Sequence, residues 1–408
     1  MDSITIYEFL KEKSTIPTGP GSYSNSKEMA NSLKAFKKNN SSKAKKKKDV
    51  NFYDYDGTLI DSYSTEEFLQ LSTMPANPSH DGLTAQGWNY TLSDAKEYVS
   101  EYGKLNIGQM YITNDGKTRL HIKLEDGRLK PRLGLGINGS AIVDWGDNSQ
   151  TDTMTGSSFS TAVYQEHEYS APGEYTISIA VTGKIQFLGD SSSKSQLLTK
   201  ADGDANTNDV YRNSIESIEI GSNISSIEDY AFQNCYSLTN ITIPNNVTSI
   251  GYYAFNYCCS LTNITIPSNV TDISISAFQS CYSLTNIIIP SNATAIASST
   301  FQDCYSLTNI IIPNNVTSIG NYAFSGCYSL TNITIPNNVT NIGISTFGDC
   351  FGLGFIKFES STPAKILGKQ AWDSIPNDCI IYIPQGSLIA YTSNNNYPNS
   401  STYTYIEY

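Results

Sequence analysis

Cys235-Tyr236-Ser237-Leu238-Thr239-Asn240-Ile241-Thr242-Ile243-Pro244-Asn245-Asn246-Val247-Thr248-Ser249-Ile250-Gly251-Tyr252-Tyr253-Ala254-Phe255 belongs to a pattern that returns every 23 residues from about Ile220 to Phe358. That spacing carries Pro244, Pro267, Pro290, Pro313 and Pro336, and also Phe232, Phe255, Phe278, Phe301, Phe324 and Phe347. It carries Cys235, Cys258, Cys281, Cys304, Cys327 and Cys350, then Leu238, Leu261, Leu284, Leu307, Leu330 and Leu353. The apolar positions of one unit are Leu238, Ile241, Ile243, Val247, Ile250, Ala254 and Phe255. Leu238 to Ile243 predicts a short strand ended by Pro244, which has no N–H to give a ladder. So short a unit cannot bury its own apolar side, but stacked units share one core. The expected product is a right-handed solenoid with a parallel sheet on one face, its coils about 4.8 Å apart and its six units spanning roughly 29 Å.

The 408 residues are 39% apolar and 16% charged, enough for two or three domains that each bury a core. No apolar run reaches the length of a spanning helix, so no membrane span is expected. Glu8, Lys11, Glu12 and Lys13 occupy the place where a signal peptide keeps its apolar run, so no standard export signal is expected either. The net charge of -12 is polarised: residues 1–48 hold eleven Lys against Asp2, Glu8, Glu12 and Glu28, giving +7 there and -19 beyond. Three His leave little room for histidine chemistry, whereas 28 Tyr point to contact surfaces. No catalytic residue and no cofactor is expected.

The unit Cys-Tyr-Ser-Leu-Thr-Asn-Ile-Thr-Ile-Pro-Asn-Asn-Val-Thr-Ser-Ile-Gly-x-x-Ala-Phe resembles the BspA-like leucine-rich repeat family over about a third of the chain. Ile380-Ile381-Tyr382-Ile383-Pro384-Gln385-Gly386-Ser387, followed by Tyr391, resembles the closing segment of such arrays. The resemblance implies surface adhesins and binding proteins, chiefly of bacteria living in animal hosts and of some protists.

Six Cys in one register position read as a buried ladder of small side chains suited to synthesis in a reducing compartment, with a redox role as the alternative. Triplets such as Asn240-Ile241-Thr242 have the form of glycan acceptors. Asn286-Ile287-Ile288 keeps the Asn without the Thr, as expected if Asn serves a backbone hydrogen-bond ladder. The aromatic after each Cys gives the candidate ligand-binding row Tyr236, Tyr282, Tyr305, Tyr328 and Phe351, interrupted by Cys259. Stacked, these rings would form a flat strip for sugar rings or a protein loop, or would simply cover the core edge. Coils so alike suit a weak, multivalent surface better than a tailored pocket.

Phe52-Tyr53-Asp54-Tyr55-Asp56-Gly57-Thr58-Leu59-Ile60-Asp61-Ser62 is similar to the first motif of haloacid-dehalogenase-type phosphatases. That resemblance implies a nucleophile at Asp54 and a general acid at Asp56 around Mg²⁺. The chemistry needs a buried parallel strand before the Asp pair, a phosphate-holding Lys and a later acidic pair, and none is evident in what surrounds the motif. One helix is expected near Ser93 to Tyr102, then a hairpin from Tyr111 to Leu124 around Asn114-Asp115-Gly116. A turn in which Asp54 and Asp56 cap backbone amides is the preferred reading, and a calcium loop on the same two residues a third. Ala141-Ile142-Val143-Asp144-Trp145-Gly146-Asp147-Asn148, with His167-Glu168-Tyr169 and Pro172-Gly173-Glu174-Tyr175, resembles the polycystic-kidney-disease-type (PKD) immunoglobulin-like domain, a spacer in which His167 is structural. Phe52 to Leu124, with Met74-Pro75-Ala76-Asn77-Pro78 and Gly87-Trp88-Asn89-Tyr90, is similar to a module of surface and phage proteins of gut bacteria.

Residues 1–48 read as a basic attachment segment of two short amphipathic helices and a linker, with docking candidates Phe9, Leu10, Met29, Leu33, Phe36, Lys45, Lys46, Lys47 and Lys48. The lysine run is open to three readings, a flexible linker, docking onto an acidic protein scaffold or nonspecific contact with nucleic acid. The expected fold class is mainly β and multidomain. A short helical N-terminal segment (1–48) precedes a β-rich module with one helix (49–130) and an immunoglobulin-like β-sandwich (131–190). A linker (191–216), a leucine-rich-repeat solenoid with a parallel sheet (217–358) and a capping segment (359–408) follow. Adhesive modules without an export signal suggest a virion protein, such as a phage head fibre, decoration or tail fibre, made in the host cytoplasm. A bacterial or protist cell-surface adhesin is the alternative. The expected partners are a virion or cell-surface scaffold at the N-terminus, a host-surface glycan or protein at the repeats, and further copies of the chain. No specific nucleic acid is expected.

Overall fold

In the computed structural model the residues described are 48–54, 57–88, 90–113, 115–188, 197–200, 211–368 and 370–408. The docking candidates Phe9, Leu10, Met29, Leu33, Phe36 and Lys45 to Lys47, and Asp56, lie outside them. Two compact units part between Gly116 and Lys117.

The first unit is built on a four-stranded sheet. Its elements are β1 (Val50–Tyr53), β2 (Leu59–Tyr63), helix α1 (Thr65–Leu69), β3 (Leu83–Trp88), helix α2 (Leu92–Tyr102) and β4 (Leu105–Thr113), with strand order β2-β1-β4-β3. β1 runs parallel to β4 and antiparallel to β2, and all four of its residues are buried. A buried strand with a parallel neighbour therefore precedes Asp54, contrary to the expectation, because the lysine run ends before Val50 and β1 buries Val50, Phe52 and Tyr53 while Asn51 is hydrogen-bonded to Lys48, Ser62 and Asn106. Phe52 packs edge-on against Trp88 and Tyr63, with ring centroids 4.9 and 5.8 Å away. Ser64 and Glu67 close a capping box on α1.

The second unit begins with β5 (Thr118–Leu124), β6 (Pro131–Asp144), β7 (Asp152–Glu166), β8 (Gly173–Gln186), β9 (Leu198–Lys200) and β10 (Ile215–Glu219). The hairpin expected from Tyr111 to Leu124 is not among the strand pairs of the described residues, where β4 and β5 belong to different sheets. β5 takes β8 and β10 as antiparallel partners, because its alternating buried side chains belong to the second unit's core. The segment expected as a linker contributes β9, which pairs with β6, and buried Tyr211 and Arg212. In the Trp145-Gly146-Asp147 turn, His167 stacks on Trp145 at 4.7 Å and its Nε2 lies 2.9 Å from Asp147 Oδ2. Tyr169 donates its hydroxyl to the Trp145 carbonyl. Burial opposes ionisation of Asp147, yet hydrogen bonds from Ser149 and His167 prevail and hold its pKa at about 2.

From Asn240 longer and shorter strands alternate: β11 (Asn240–Thr242), β12 (Ser249–Ile250), β13 (Asn263–Thr265), β14 (Asp272–Ile273), β15 (Asn286–Ile288), β16 (Ala295–Ile296), β17 (Asn309–Ile311), β18 (Ser318–Ile319), β19 (Asn332–Ile335), β20 (Asn341–Ile342), β21 (Phe355–Phe358), β22 (Lys365–Ile366) and β23 (Ile380–Ile383). Helix α3 (Leu388–Thr392) and β24 (Thr404–Glu407) complete the chain. The strand pairs between successive coils are parallel, with register Asn286↔Asn309 and Ser318↔Asn341 as examples. The ladder continues past the expected boundary at 358, through β23 to β24. Inside, the phenylalanines form a column: Phe255, Phe278, Phe301, Phe324 and Phe347 stack 5.2 to 5.8 Å apart with planes within 11°.

Both ends of this column are sealed by residues outside the repeat. Phe187, just after β8, packs 5.1 Å from Phe232, and Trp372 stacks 5.1 Å from Phe347 before meeting Phe358 and Tyr397. The sheet is sealed as well, since β10 bonds to β5 on one edge and to β11 on the other. Arg119 and Glu219 pair at 3.5 Å where these strands meet, and Gly221 donates its backbone N–H to Thr118 Oγ1. A solenoid cut at residue 217 therefore loses its first wall. Phe187→Ala is expected to destabilise the second unit by about 3–5 kcal/mol in chemical denaturation. An unchanged midpoint would show that the array does not lean on Phe187.

Candidate ligand-binding surface

The aromatic row is built from the backbone outward. Ser260, Ser306 and Ser329 donate their N–H groups to the carbonyls of Tyr236, Tyr282 and Tyr305 one coil back, at 3.1 to 3.2 Å, which fixes each ring at the coil spacing. Tyr282 and Tyr305 stack at 4.7 Å, Tyr305 and Tyr328 at 4.6 Å, each pair within 3° of parallel. Phe351 follows Tyr328 at 5.3 Å.

The row is not interrupted at Cys259. Tyr257 places its ring 6.3 Å from both Tyr236 and Tyr282 and fills the gap. Its column otherwise holds Asn234, Ser280, Asp303, Gly326 and Asp349, all with positive φ, as suits residues that tolerate the left-handed region. Tyr257 keeps that conformation with φ 58° despite its bulk. The signal was present in the sequence, since the one large residue of this column and the one non-aromatic residue of the tyrosine column fall in the same coil, two positions apart.

Stacking also changes what the row offers. Tyr282, Tyr305 and Tyr328, parallel within 3°, cover one another's faces and present ring edges and hydroxyls, not the flat faces expected for sugar stacking, whereas Tyr257 stands edge-on to Tyr282 at 88°. Tyr257, Tyr328 and Phe351 are 39%, 43% and 56% exposed. Burial raises the pKa values of Tyr282 and Tyr305, so both hydroxyls remain protonated.

The threonine and asparagine columns of the coils are polar and uncharged, while the column that Tyr257 occupies carries Asp303 and Asp349, and many of the polar groups are committed to neighbouring coils. Thr285, Thr308 and Thr331 donate their hydroxyls to the threonine carbonyl 23 residues earlier. A backbone-bonding asparagine ladder exists, but Asn246, Asn269, Asn292, Asn315 and Asn338 make it, each donating Nδ2 to a carbonyl 24 residues back. The strand asparagines are half-buried, and Asn332 Nδ2 reaches Asn309 Oδ1 at 3.5 Å and Thr331 Oγ1 at 3.0 Å.

The register cysteines are buried free thiols and more than space-filling. Cys258, Cys281, Cys304, Cys327 and Cys350 each donate S–H to a phenylalanine carbonyl 26 residues earlier, at 3.2 to 3.3 Å. Burial lifts the Cys235, Cys350 and Cys379 thiols from 9.0 to about 12 and raises the others too. Cys259, in the tyrosine column, is half-buried.

Asp54 lies in a tight turn in which its N–H donates to the Thr58 carbonyl and its carbonyl accepts from Gly57, whose φ is 82°. Its carboxylate is buried, 2.7 Å from His80 Nε2. Among the described residues no group of three or more His, Cys, Asp and Glu is arranged to hold a metal, and Asp56, the second residue of the calcium-loop reading, lies outside them. Lys48, the one described docking candidate, pairs with Glu67 at 2.7 Å. No described helix is long and apolar enough to cross a membrane.

Comparison with known proteins places a BspA type leucine-rich repeat region, in six copies, on residues 206–328 and 294–407. Among solved structures, a leucine-rich repeat protein of Bacteroides ovatus shares 27% identity over 48% of this chain, with a TM-score of 0.38. The alignment spans 55% of that protein's length. A leucine-rich repeat protein of T. pallidum shares 25% identity over 45% of this chain and 79% of its own, with a TM-score of 0.35. A leucine-rich cell surface protein of Faecalibacterium prausnitzii shares 22% identity over 48% of this chain and 80% of its own, at 0.29. No curated protein matches the chain.

The thiols give two expectations. Alkylation of the native protein should mark Cys259 alone among the eight cysteines, and all eight after denaturation; rapid native labelling of any register cysteine would contradict the burial. A thiol whose pKa is raised by folding contributes stability that is complete below about pH 9 and is lost as pH rises toward 12. The thermal midpoint should therefore fall through that window, and a flat profile would count against the buried ladder.

Proposed function

We propose, from the premise that residues 206–407 carry a BspA type leucine-rich repeat region, that this chain is a non-enzymatic adhesion or recognition protein. Its repeats bind a host-surface glycan or protein and its N-terminal segment docks to a scaffold. The observation that carries this reading is the continuous row of six aromatic side chains along one edge of a solenoid sealed at both ends. A rigid surface that repeats one contact per coil suits avidity for a repetitive ligand. The PKD-type motif around Trp145 fits a spacer that also walls the array.

The scaffold we favour is a phage particle, as a head fibre, decoration or tail fibre. The support is chemical: seven buried thiols, with no disulfide among them, fold most simply where thiols stay reduced, and virion proteins are made in such a compartment. A cell-surface adhesin is the second reading, favoured by the repeat type itself. Mass spectrometry of density-purified particles and of washed cell surfaces from the producing culture separates the two. Enrichment in particles is expected, enrichment on cells alone would transfer the assignment to the adhesin, and presence in neither would remove both. Mg²⁺-dependent phosphatase activity that disappears in Asp54→Ala would overturn the non-enzymatic reading.

A further inference from the structure

Between Ile220 and Ile356 the chain contains no Lys, no Arg and no His, and its only charges are those of Glu228, Asp229, Asp272, Asp303 and Asp349. Along these residues a sulfated, phosphorylated or carboxylated ligand would find no cation and would meet a negative field; the next one, Lys357 in the coil of Phe351, has its ammonium 4.9 Å from the Tyr408 ring centroid. The arginine and tryptophan anchors that dominate protein–protein contacts are absent from the same stretch. What the surface offers instead is hydroxyls, amides and aromatic edges, the groups that meet an uncharged polyol. They recur once per coil, and the six rings of the aromatic row lie in file along the stacking direction.

Resting on the recognition role proposed above, we infer that the row from Tyr236 through Tyr257, Tyr282, Tyr305 and Tyr328 to Phe351 binds a neutral polysaccharide strand laid along the solenoid axis. A strand in that direction meets every ring edge, whereas one crossing the coils meets one or two. Because Tyr282, Tyr305 and Tyr328 spend their ring faces on each other, recognition at these three runs through hydroxyls and ring edges, each contact weak and the affinity arising from their number. Tyr257 is the residue that makes the row continuous. It holds a left-handed conformation that Asn or Asp adopts more readily, in a column where Asn234 stands one coil earlier, so its presence costs stability and gains continuity.

The test is affinity gel electrophoresis of the full chain against neutral polymers (β-glucan, galactomannan, dextran) and anionic ones (polygalacturonate, heparin), with neutral oligosaccharides of increasing length as competitors. Retardation by at least one neutral polymer, insensitive to salt and competed more strongly by longer oligosaccharides, is expected. Tyr257→Asn should be at least as stable as the parent yet retarded less. Replacing Tyr282, Tyr305 and Tyr328 by Phe should keep the thermal midpoint and weaken binding about tenfold or more. Retardation by anionic polymers alone, or neutral binding untouched by both variants, would overturn the inference. If the chain binds cells, periodate treatment of those cells should abolish binding and protease treatment should not. The reverse result, a protein ligand, defeats this inference and leaves the recognition role standing. Binding to neither polymers nor cells defeats both.

Discussion

Coil-to-coil contact is the constraint on which the second unit depends. A single coil cannot bury Phe278 or satisfy the N–H groups of its turns; Phe278, Ser276 and Ser280 donate to Thr300, Ser298 and Gln302 of the next coil. Core, backbone and polar ladders are therefore all made between coils, and a unit of this kind is stable only as part of a stack. The geometry is uniform because one spacing has to serve strands, turns and phenylalanine rings together.

A stack of this type has two ends to close. At the C-terminal end the chain departs from its period, inserts α3 and brings Trp372, Tyr391 and Tyr397 against Phe358. At the other end closure comes from the preceding fold. Phe187 extends the aromatic column, β5 extends the sheet, and the Arg119–Glu219 pair is held with Glu219 buried and Arg119 partly so. Such a pair adds little net stability over apolar packing, but breaking one half leaves a buried charge, so it fixes the register of the junction.

The same spacing dictates the surface. Side chains at one position of successive coils are forced into contact, so tyrosines become a stack, threonines a hydroxyl ladder and cysteines a column of S–H donors. A surface generated this way is regular and multivalent and poor in pockets. Diversity enters only through exceptions such as Tyr257 and Cys259, and there the exchange of a ring between two columns preserves the row.

The sequence by itself determined the period, the identity of the buried positions and the parallel strands, because one repeated apolar pattern admits one economical burial. It also made the six cysteines recognisable as buried and His167 as a structural residue. It did not determine that the thiols donate to carbonyls, that the second asparagine of Pro-Asn-Asn makes the ladder, or that Tyr257 completes the aromatic row. Those depend on the direction in which each Cβ leaves a turn, and periodicity carries no information about direction. Nor did it reveal that β5 takes β8 and β10 as its partners, or that Phe187 ends the phenylalanine column. These are long-range pairings, decided only when the apolar end of a solenoid and the apolar edge of a sheet meet and exclude water together.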